Sequence, residues 1–198
     1  MARKNKIQTT GQLRIIGGNW RGRKLSFPEL AGLRPTPDRV RETLFNWLQG
    51  QLGGACCLDL FAGSGALGFE AASRGAASVD MIEIDRHAFS VLQQNKIHLS
   101  ANACELFNTT AQQFLNTVKT RYDIVFIDPP YQADLWSEVA TLLMQRQLLK
   151  PYGLIYLETP AKSALPELPD SWIQIKDKRA GDVRYCLFKF GQEHALSE

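Results

Sequence analysis

A short segment, Asp128-Pro-Pro-Tyr131, follows an apolar run and combines a carboxylate, two prolines and an aromatic ring. Consecutive prolines fix the backbone and remove two N–H donors, so the segment offers acceptors only, the Asp128 carboxylate and the Pro129 carbonyl. These acceptors suit the two hydrogens of an exocyclic amino group, and the ring of Tyr131 offers a face on which a base can stack. A proline turn without chemistry would leave the acid and the ring unexplained. The segment therefore predicts a catalytic platform, made of Asp128, Pro129, Pro130 and Tyr131.

A glycine-rich segment, LDLFAGSGALG at 58–68, ends in the pattern G-x-G-x-x-G, and Glu83 follows Gly63 by 20 residues. This spacing is typical of dinucleotide sites, where glycines let the backbone approach the ligand and an acid binds the ribose. Gly63 and Gly65 fit that role, whereas Gly68 fits close packing of a helix on a strand. Two interpretations stay open at this point: a nucleotide cofactor such as NAD, and a tight turn without a ligand.

Two acids at predicted strand ends have the chemistry of an adenosine site. Asp59 lies in an apolar strand, where an unpaired carboxylate would be costly, so we expect it to accept loop N–H groups and to meet a ligand's ammonium. Glu83 ends the next strand and is predicted to accept two ribose hydroxyls, with Ile84 against the adenine face. Asp85 is interpreted as the start of the following helix, where an acid suits the helix dipole.

The elements that position these residues follow from alternating apolar runs and amphipathic segments. Each predicted motif ends a strand, and strand ends in a parallel sheet share one edge, so the motifs are expected to meet in one cleft. Five strands that alternate with helices through right-handed crossovers imply an α/β fold with helices on both faces. The predicted strands are 55–61, 78–85, 104–109, 122–128 and 154–159, the helices 66–75, 86–99, 111–118 and 133–145, and a terminal antiparallel hairpin 172–179 with 183–190.

Positive charge is concentrated at the N-terminal end of the chain. Residues 1–48 hold ten Lys and Arg against three acids, a net charge of +7, whereas the remainder holds thirteen against seventeen, a net charge of −4. Two short strands, 13–18 and 23–28, are predicted to form a hairpin, followed by a helix that Asp38 caps. A basic extension on an acidic body is typical of a protein that binds a polyanion. Packing of Trp20 against the body is favoured over stacking on a base.

Composition limits the remaining possibilities. The chain has 198 residues, 44% apolar and 22% charged, which fits one soluble domain with a small extension. No apolar run reaches the length of a membrane span and no secretory signal is visible, so a cytoplasmic protein is expected. The four cysteines lack C-x-x-C spacing and are predicted to be free thiols; the histidines form no ligand pair, so no metal is expected. No feature calls for an obligate interface, and we expect a monomer.

The motifs together resemble a known family. F-A-G-S-G after the first strand of the alternating region, an acid ending the second and D-P-P-Y ending the fourth are similar to S-adenosylmethionine (SAM)-dependent amino-methyltransferases of the Rossmann-like class. Two further segments, RIIGGNWRGRKL (14–25) and RPTPDRVRETLFNWL (34–48), resemble the RsmD family, which methylates the N2 amino group of guanine-966 in 16S rRNA. The resemblance runs from Leu13 to Phe190. D-P-P-Y alone is shared with adenine-N6 methyltransferases, whereas the two N-terminal segments are more specific.

The resemblance implies a Rossmann-like SAM-methyltransferase fold with a seven-stranded, mostly parallel sheet of order 3-2-1-4-5-7-6. It also implies an RNA-contacting hairpin and helix over 13–50 and a methyltransferase domain over 51–191. The basic tail over 1–12 is expected from its composition to be disordered. The implied partner is 16S rRNA within a partly or fully assembled small ribosomal subunit. Cofactor-binding roles, for SAM and its product S-adenosylhomocysteine, fall on Asp59, Phe61, Ala62, Gly63, Gly65, Glu83, Ile84, Thr110 and Ala111. RNA-binding roles fall on Arg21, Arg23, Arg34, Arg39 and Arg41, with a structural salt bridge as the alternative for Arg39 and Arg41.

Three other functions compete with guanine-N2 methylation. An adenine-N6 methyltransferase shares D-P-P-Y, but it would normally need a large target-recognition region for which 198 residues leave little room. An NAD-dependent oxidoreductase explains only the glycine pattern and Glu83. An RNA-binding module without catalysis would not need the intact platform.

Overall fold

The computed structural model describes residues 11–28 and 36–191. It opens with a two-stranded antiparallel hairpin, in which β1 (Gly11–Arg14) pairs with β2 (Lys24–Phe27). Gly11 and Gln12, placed in a basic tail by the sequence, are the first residues of β1; residues 1–10 lie outside the described part. Helix α1 (Asp38–Trp47) follows. Asp38 is its first residue rather than its cap, since Pro37 takes the cap position. The Asp38 carboxylate accepts a hydrogen bond from Arg41 Nη2 at 2.6 Å.

A seven-stranded sheet forms the body of the protein. Its strands are β3 (Cys56–Asp59), β4 (Ser78–Ile82), β5 (Cys104–Phe107), β6 (Tyr122–Ile127), β7 (Leu149–Pro160), β8 (Trp172–Ala180) and β9 (Val183–Phe190). Their order in the sheet is β5-β4-β3-β6-β7-β9-β8, which is the predicted 3-2-1-4-5-7-6 once the hairpin strands are left out of the count. Strands β3 to β7 are parallel, and β9 is antiparallel to both β7 and β8.

Helices cover both faces of this sheet, as the alternation of strands and helices predicted. Two apolar clusters, one on each face, contain the buried side chains of the helices and strands. After α1, the helices are α2 (Ala66–Ser73), α3 (Arg86–Leu99), α4 (Ala111–Thr117) and α5 (Trp136–Gln145). The hairpin and α1 share the first cluster with α2, α3 and the sheet, whereas α4 and α5 pack in the second. Within the described part of the chain, no helix is long and apolar enough to cross a membrane.

The hairpin strands end earlier than the sequence predicted, for a local reason. The backbone N–H groups of Ile16 and Gly17 donate to the two carboxylate oxygens of Glu70 on α2, at 2.7 and 2.8 Å. This segment is therefore hydrogen-bonded to a helix rather than to another strand. Gly18 has a φ of +74°, and a Cβ there would lie 1.9 Å from the carbonyl oxygen of Ser73. Trp20 packs partly buried against the first apolar cluster, as expected.

The cysteines are free thiols, as predicted. Cys56 and Cys57, adjacent in β3, belong to opposite faces of the sheet, since Cys57 lies in the first cluster and Cys56 packs against the second. Burial raises the pKa of the Cys104 thiol to about 12, which keeps this side chain protonated. The cysteines are thus packing residues.

Candidate active site

The glycine loop connects β3 to α2 at the carboxyl end of the sheet. Gly63 and Gly65 have φ values of +51° and +80°, a conformation that L side chains rarely adopt. A Cβ at Gly65 would lie 2.5 Å from ring carbons of Phe69. At Gly68, inside α2, a Cβ would lie 2.7 Å from Met81 on β4, so this glycine serves helix–strand packing as predicted.

Asp59 ends β3 and is almost fully buried, with 2% of its surface exposed. Its Oδ2 accepts the backbone N–H of Gly68 at 3.0 Å, so the donor lies in the first turn of α2 rather than in the loop that the sequence predicted. Burial raises the pKa of the Asp59 carboxyl to about 7, hydrogen bonds from the Gly68 and Phe61 backbone lower it, and the charge of Glu83 raises it. A cation that pairs with this carboxylate would relieve the cost of its burial.

Glu83 follows β4 and holds the glycine loop. Its Oε2 accepts the N–H of Gly63 at 2.9 Å and its Oε1 accepts the N–H of Asp85 at 2.7 Å. A carboxylate has about four acceptor positions, so two remain for a ligand's hydroxyls. Ile84 beside it is 65% exposed, an apolar surface next to a polar one. Asp85 is the N-cap of α3, as interpreted, and accepts the N–H groups of His87 and Ala88.

The end of β5 lies beside the Glu83 segment. Asn108, which the sequence analysis did not single out, donates its side-chain amide to the carbonyls of Glu83 and Ile84 at 2.8 and 3.1 Å. Thr110 is the N-cap of α4, and its hydroxyl accepts the N–H of Gln113 at 3.1 Å. Ala111 is buried. Thr110 and Ala111 therefore position the start of α4, and Asn108 ties this strand end to the Glu83 segment.

The predicted platform lies directly after β6. Pro129 is buried and Pro130 exposed, and a short 3₁₀ turn, Tyr131–Ala133, follows. The Tyr131 ring is 39% exposed, and its centre lies 6.1 Å from that of the Trp136 ring. The indole N–H of Trp136 donates to the Glu158 carbonyl at 2.7 Å, which fixes this ring on β7. The platform is thus a rigid backbone segment with an exposed aromatic face.

Asp128 is half-buried and has two neighbours that the sequence analysis missed. The hydroxyl of Thr36, ahead of α1, lies 3.5 Å from Asp128 Oδ2, at the outer limit of a hydrogen bond. Glu158 on β7 is 2% exposed. Burial first, then the charges of Glu158 and Asp59, raise the pKa of Asp128 well above its ordinary value, and the Thr36 contact lowers it.

A signal for Glu158 existed in the sequence. It is the one acid in the apolar run LIYLET and stands near the end of a predicted strand, as Asp59 does in its own strand. Thr36 carried no such signal, since its nearness to Asp128 arises from the packing of α1 on the sheet.

The five predicted RNA-binding arginines differ in their surroundings. Arg21 and Arg39 are exposed, and Arg23 is half-buried with one N–H group donating to the His98 carbonyl. Arg41 is fully buried: it donates to Asp38 and to the Arg14 carbonyl, and lies 3.9 Å from Glu70. The RNA-binding prediction is therefore wrong for Arg41, and the salt-bridge alternative holds. Arg34 lies outside the described residues.

The donors around the glycine loop fit SAM. Gly63 and Gly65 give the loop its left-handed backbone, Asp59 offers a buried carboxylate for an ammonium, and Glu83 with Ile84 offers acceptors beside an apolar surface. Asp59 and Asp128 follow neighbouring strands, since Asp59 pairs with Phe126, two residues before Asp128. The adenosine-type residues and the platform therefore lie at the carboxyl ends of neighbouring strands.

Known proteins share both the sequence and the fold. The family described as "Conserved hypothetical protein 95" matches residues 13–189. Ribosomal RNA small subunit methyltransferase D of Escherichia coli K12 is 48% identical over 180 residues, which cover 91% of each chain. Its namesake from Haemophilus influenzae is 43% identical and is covered over 98% of its length. A solved Escherichia coli structure, described as the methyltransferase yhhF, superimposes with a TM-score of 0.86 at 47% identity, over 92% of this chain and all of that one.

Proposed function

Because this chain belongs to the family of ribosomal RNA small subunit methyltransferase D, the RsmD family, we propose that it methylates the exocyclic N2 amino group of a guanine in 16S rRNA. By family resemblance the target is guanine-966. The observation that carries the proposal is the position of Asp128 and its proline platform next to the glycine loop that fits the methyl donor.

The methyl donor would be held by the residues around the glycine loop. Asp59 would pair with the ammonium of the methionine moiety, Phe61, Ala62, Gly63 and Gly65 would surround it, and Glu83 and Ile84 would bind ribose and adenine. Thr110 and Ala111 would face the adenine edge. When bound, SAM supplies an electrophilic methyl group on a sulfonium sulfur.

Asp128 and the Pro129 carbonyl would accept the two hydrogens of the guanine amino group. That arrangement draws the nitrogen lone pair out of conjugation with the ring and directs it at the methyl group. Alignment of this kind contributes roughly 7–11 kcal/mol of barrier lowering in well-oriented reactions. SAM would supply the methyl group and leave as S-adenosylhomocysteine, with sulfur keeping the electron pair. Asp128 would orient the amino group, and whether it also takes the proton lost from nitrogen is a separate question from that orientation.

The guanine must leave its stack to reach this platform, at a cost of a few kcal/mol. Stacking on Tyr131 would offset about 1–3 kcal/mol of that cost. Contacts between phosphates and the exposed arginines Arg21 and Arg39, with Arg23 beside them, would supply more. We accordingly assign RNA contact to residues 13–50 and methyl transfer to residues 51–191. The substrate would be 16S rRNA in a partly or fully assembled small subunit.

The test is transfer of labelled methyl groups from SAM to three substrates: 16S rRNA, small-subunit particles lacking the modification, and duplex DNA. Products are digested to nucleosides and identified by mass, with the Asp128→Ala variant in parallel. N2-methylguanosine from RNA, lost in the variant, is the expected result. N6-methyladenine would favour the competing methyltransferase, and full activity without Asp128 would contradict the platform.

A further inference from the structure

Three carboxylates stand on one face of the sheet, at the carboxyl ends of three neighbouring strands. Asp59 on β3 pairs with Phe126 on β6, and Phe126 pairs with Tyr156 on β7. Asp128 and Glu158 come two residues after Phe126 and Tyr156. Side chains two positions apart along a strand share a face, so all three acids point to the same side. Neighbouring strands lie about 4.8 Å apart, so in this row of three acids Asp128 is level with Glu158, while Asp59 lies two residues further back on the strand at the other side of β6.

Glu158 is the acid of this row that the methyl-transfer chemistry leaves unused. It is 2% exposed, and its Oε1 accepts the hydroxyl of Tyr156 at 2.6 Å. Among residues 11–28 and 36–191, no lysine or arginine forms a salt bridge with Glu158 or Asp128. A buried acid without a cationic partner is costly when it is charged, and packing alone would be served better by an apolar side chain.

Thr36 provides the connection between the two acids. It is 6% exposed, its hydroxyl lies 3.5 Å from Asp128 Oδ2, and the same hydroxyl lowers the pKa of Glu158. A threonine hydroxyl has a single hydrogen to donate. It can therefore satisfy one of the two carboxylates at a time, and the arrangement is most favourable when the pair holds one proton.

We propose that Glu158 is a positioning residue of the methyl-transfer site, which controls, through its charge and the Thr36 hydroxyl, whether Asp128 is free to accept the hydrogens of the target amino group. This inference rests on the proposed function. When Glu158 holds the proton, Asp128 is a carboxylate with both oxygens available; when Asp128 holds it, the platform loses an acceptor and binds the amino group less well.

The electrostatics of the site agree with this arrangement. Four groups face Asp128: Asp59 from β3, Glu158 and Tyr156 from β7, and Thr36 ahead of α1; Tyr185 on β9 pairs with Glu158. Burial raises the pKa of Glu158 to about 7, and hydrogen bonds from Tyr156 and Thr36 lower it. The Glu158 charge raises the pKa of Asp128 and the Thr36 contact lowers it. Removing the Glu158 charge should therefore lower the pKa of Asp128, and removing the Thr36 hydroxyl should raise it.

The experiment measures kcat/KM for methyl transfer to RNA from pH 5 to 9 in the wild type, Glu158→Gln, Thr36→Val and the control Glu167→Gln. Glu167 is an exposed acid outside the sheet. We expect the acidic limb of the profile to move to lower pH by roughly one unit in Glu158→Gln, since like charges shift a pKa by about this amount or more. It should move to higher pH in Thr36→Val and stay in place in the control.

Coincident profiles in all four folded proteins would overturn the inference and leave the proposed function intact. A wild type that methylates no RNA at any pH would instead contradict the proposed function. If Glu158→Gln lacks a cooperative melting transition, Thr36→Val decides alone: a limb moved to higher pH supports the inference, and an unchanged limb refutes it.

Discussion

The carboxylate of Glu70, buried in α2, accepts the backbone N–H of Gly17 in the N-terminal extension at 2.8 Å. The same carboxylate accepts the N–H of Ile16 and the guanidinium N–H of Arg74, and lies 3.9 Å from the buried Arg41. One acid thus accepts two backbone N–H groups of the extension and also pairs with Arg74. The packing of this segment on α2 also explains the second glycine of R-I-I-G-G, since Gly18 approaches α2 too closely for a side chain.

Glu70→Gln should destabilise the protein by about 3–5 kcal/mol, because it removes one partner of a buried charge pair. Thermal unfolding measures the effect, and Glu42→Gln, an exposed acid of α1, is the control. A variant that melts within one degree of the wild type would show that the contact contributes little.

Gly65→Ala should lower the melting temperature and abolish SAM binding. Gly50 is a matched control, since it has the same φ of +80° but no atom within 4 Å of the position that a Cβ would take, whereas a Cβ at Gly65 would lie 2.5 Å from Phe69. We expect Gly50→Ala to cost about 1–2 kcal/mol, the strain of the backbone alone. Calorimetric titration with SAM completes the comparison. Equal losses in both variants would contradict the role of crowding at Gly65.

Asp59→Asn should change the pH dependence of stability. The pKa of Asp59 is raised to about 7, so the folded state binds more protons than the unfolded chain between about pH 4 and 7. The free energy of unfolding supplied by this group therefore falls as pH rises through that window. The variant should match the wild type near pH 4, exceed it by about 2–4 kcal/mol at pH 8, and bind SAM poorly. Denaturant unfolding at both pH values measures this; equal differences at the two would refute it.

Arg21→Ala and Arg41→Ala should separate RNA contact from folding. Arg21 is exposed, so its loss should weaken RNA binding and reduce the slope of log K against log salt by about 0.7–0.9, with little change in melting temperature. Arg41 is fully buried, so its loss should instead lower the melting temperature. Filter binding at several salt concentrations, with a melting curve for each variant, gives both readouts. The reverse pattern would overturn these assignments.

Tyr131→Leu should reduce kcat/KM for RNA by about 5- to 150-fold, the equivalent of the 1–3 kcal/mol that base stacking contributes. Tyr131→Phe keeps the ring and should retain most of the activity. Single-turnover methylation of RNA measures both. Equal losses in the two variants would assign the role to the hydroxyl rather than to the ring.

The sequence predicted the elements best where local signals decide them. Helix α3 was predicted over its full range, because Asp85 caps its start and the chain leaves the helix at Ser100, where φ is +54°. Strand β7 begins five residues earlier than predicted, at Leu149, since pairing with Tyr122 extends it across a segment whose Pro and Gly favour a turn. Tertiary pairing outweighed the local preference there.

The candidate site divides in the same way. Glycine spacing and the D-P-P-Y segment placed the loop and the platform, since both depend on residues adjacent in sequence. Arg41 lies near Glu70, which is 29 residues away in the sequence. Thr36 lies near Asp128, which is 92 residues away. No local pattern encodes such contacts.

The single apolar cluster that joins the hairpin, α1 and one face of the sheet fixes the distance between the basic extension and Asp128. If RNA binds as proposed, a phosphate held by the extension and the amino group at the platform must therefore be presented at one spacing. That spacing is a property of folded RNA rather than of a base sequence. The protein would then select one guanine among many by the shape of the folded RNA, with no contact to the neighbouring bases.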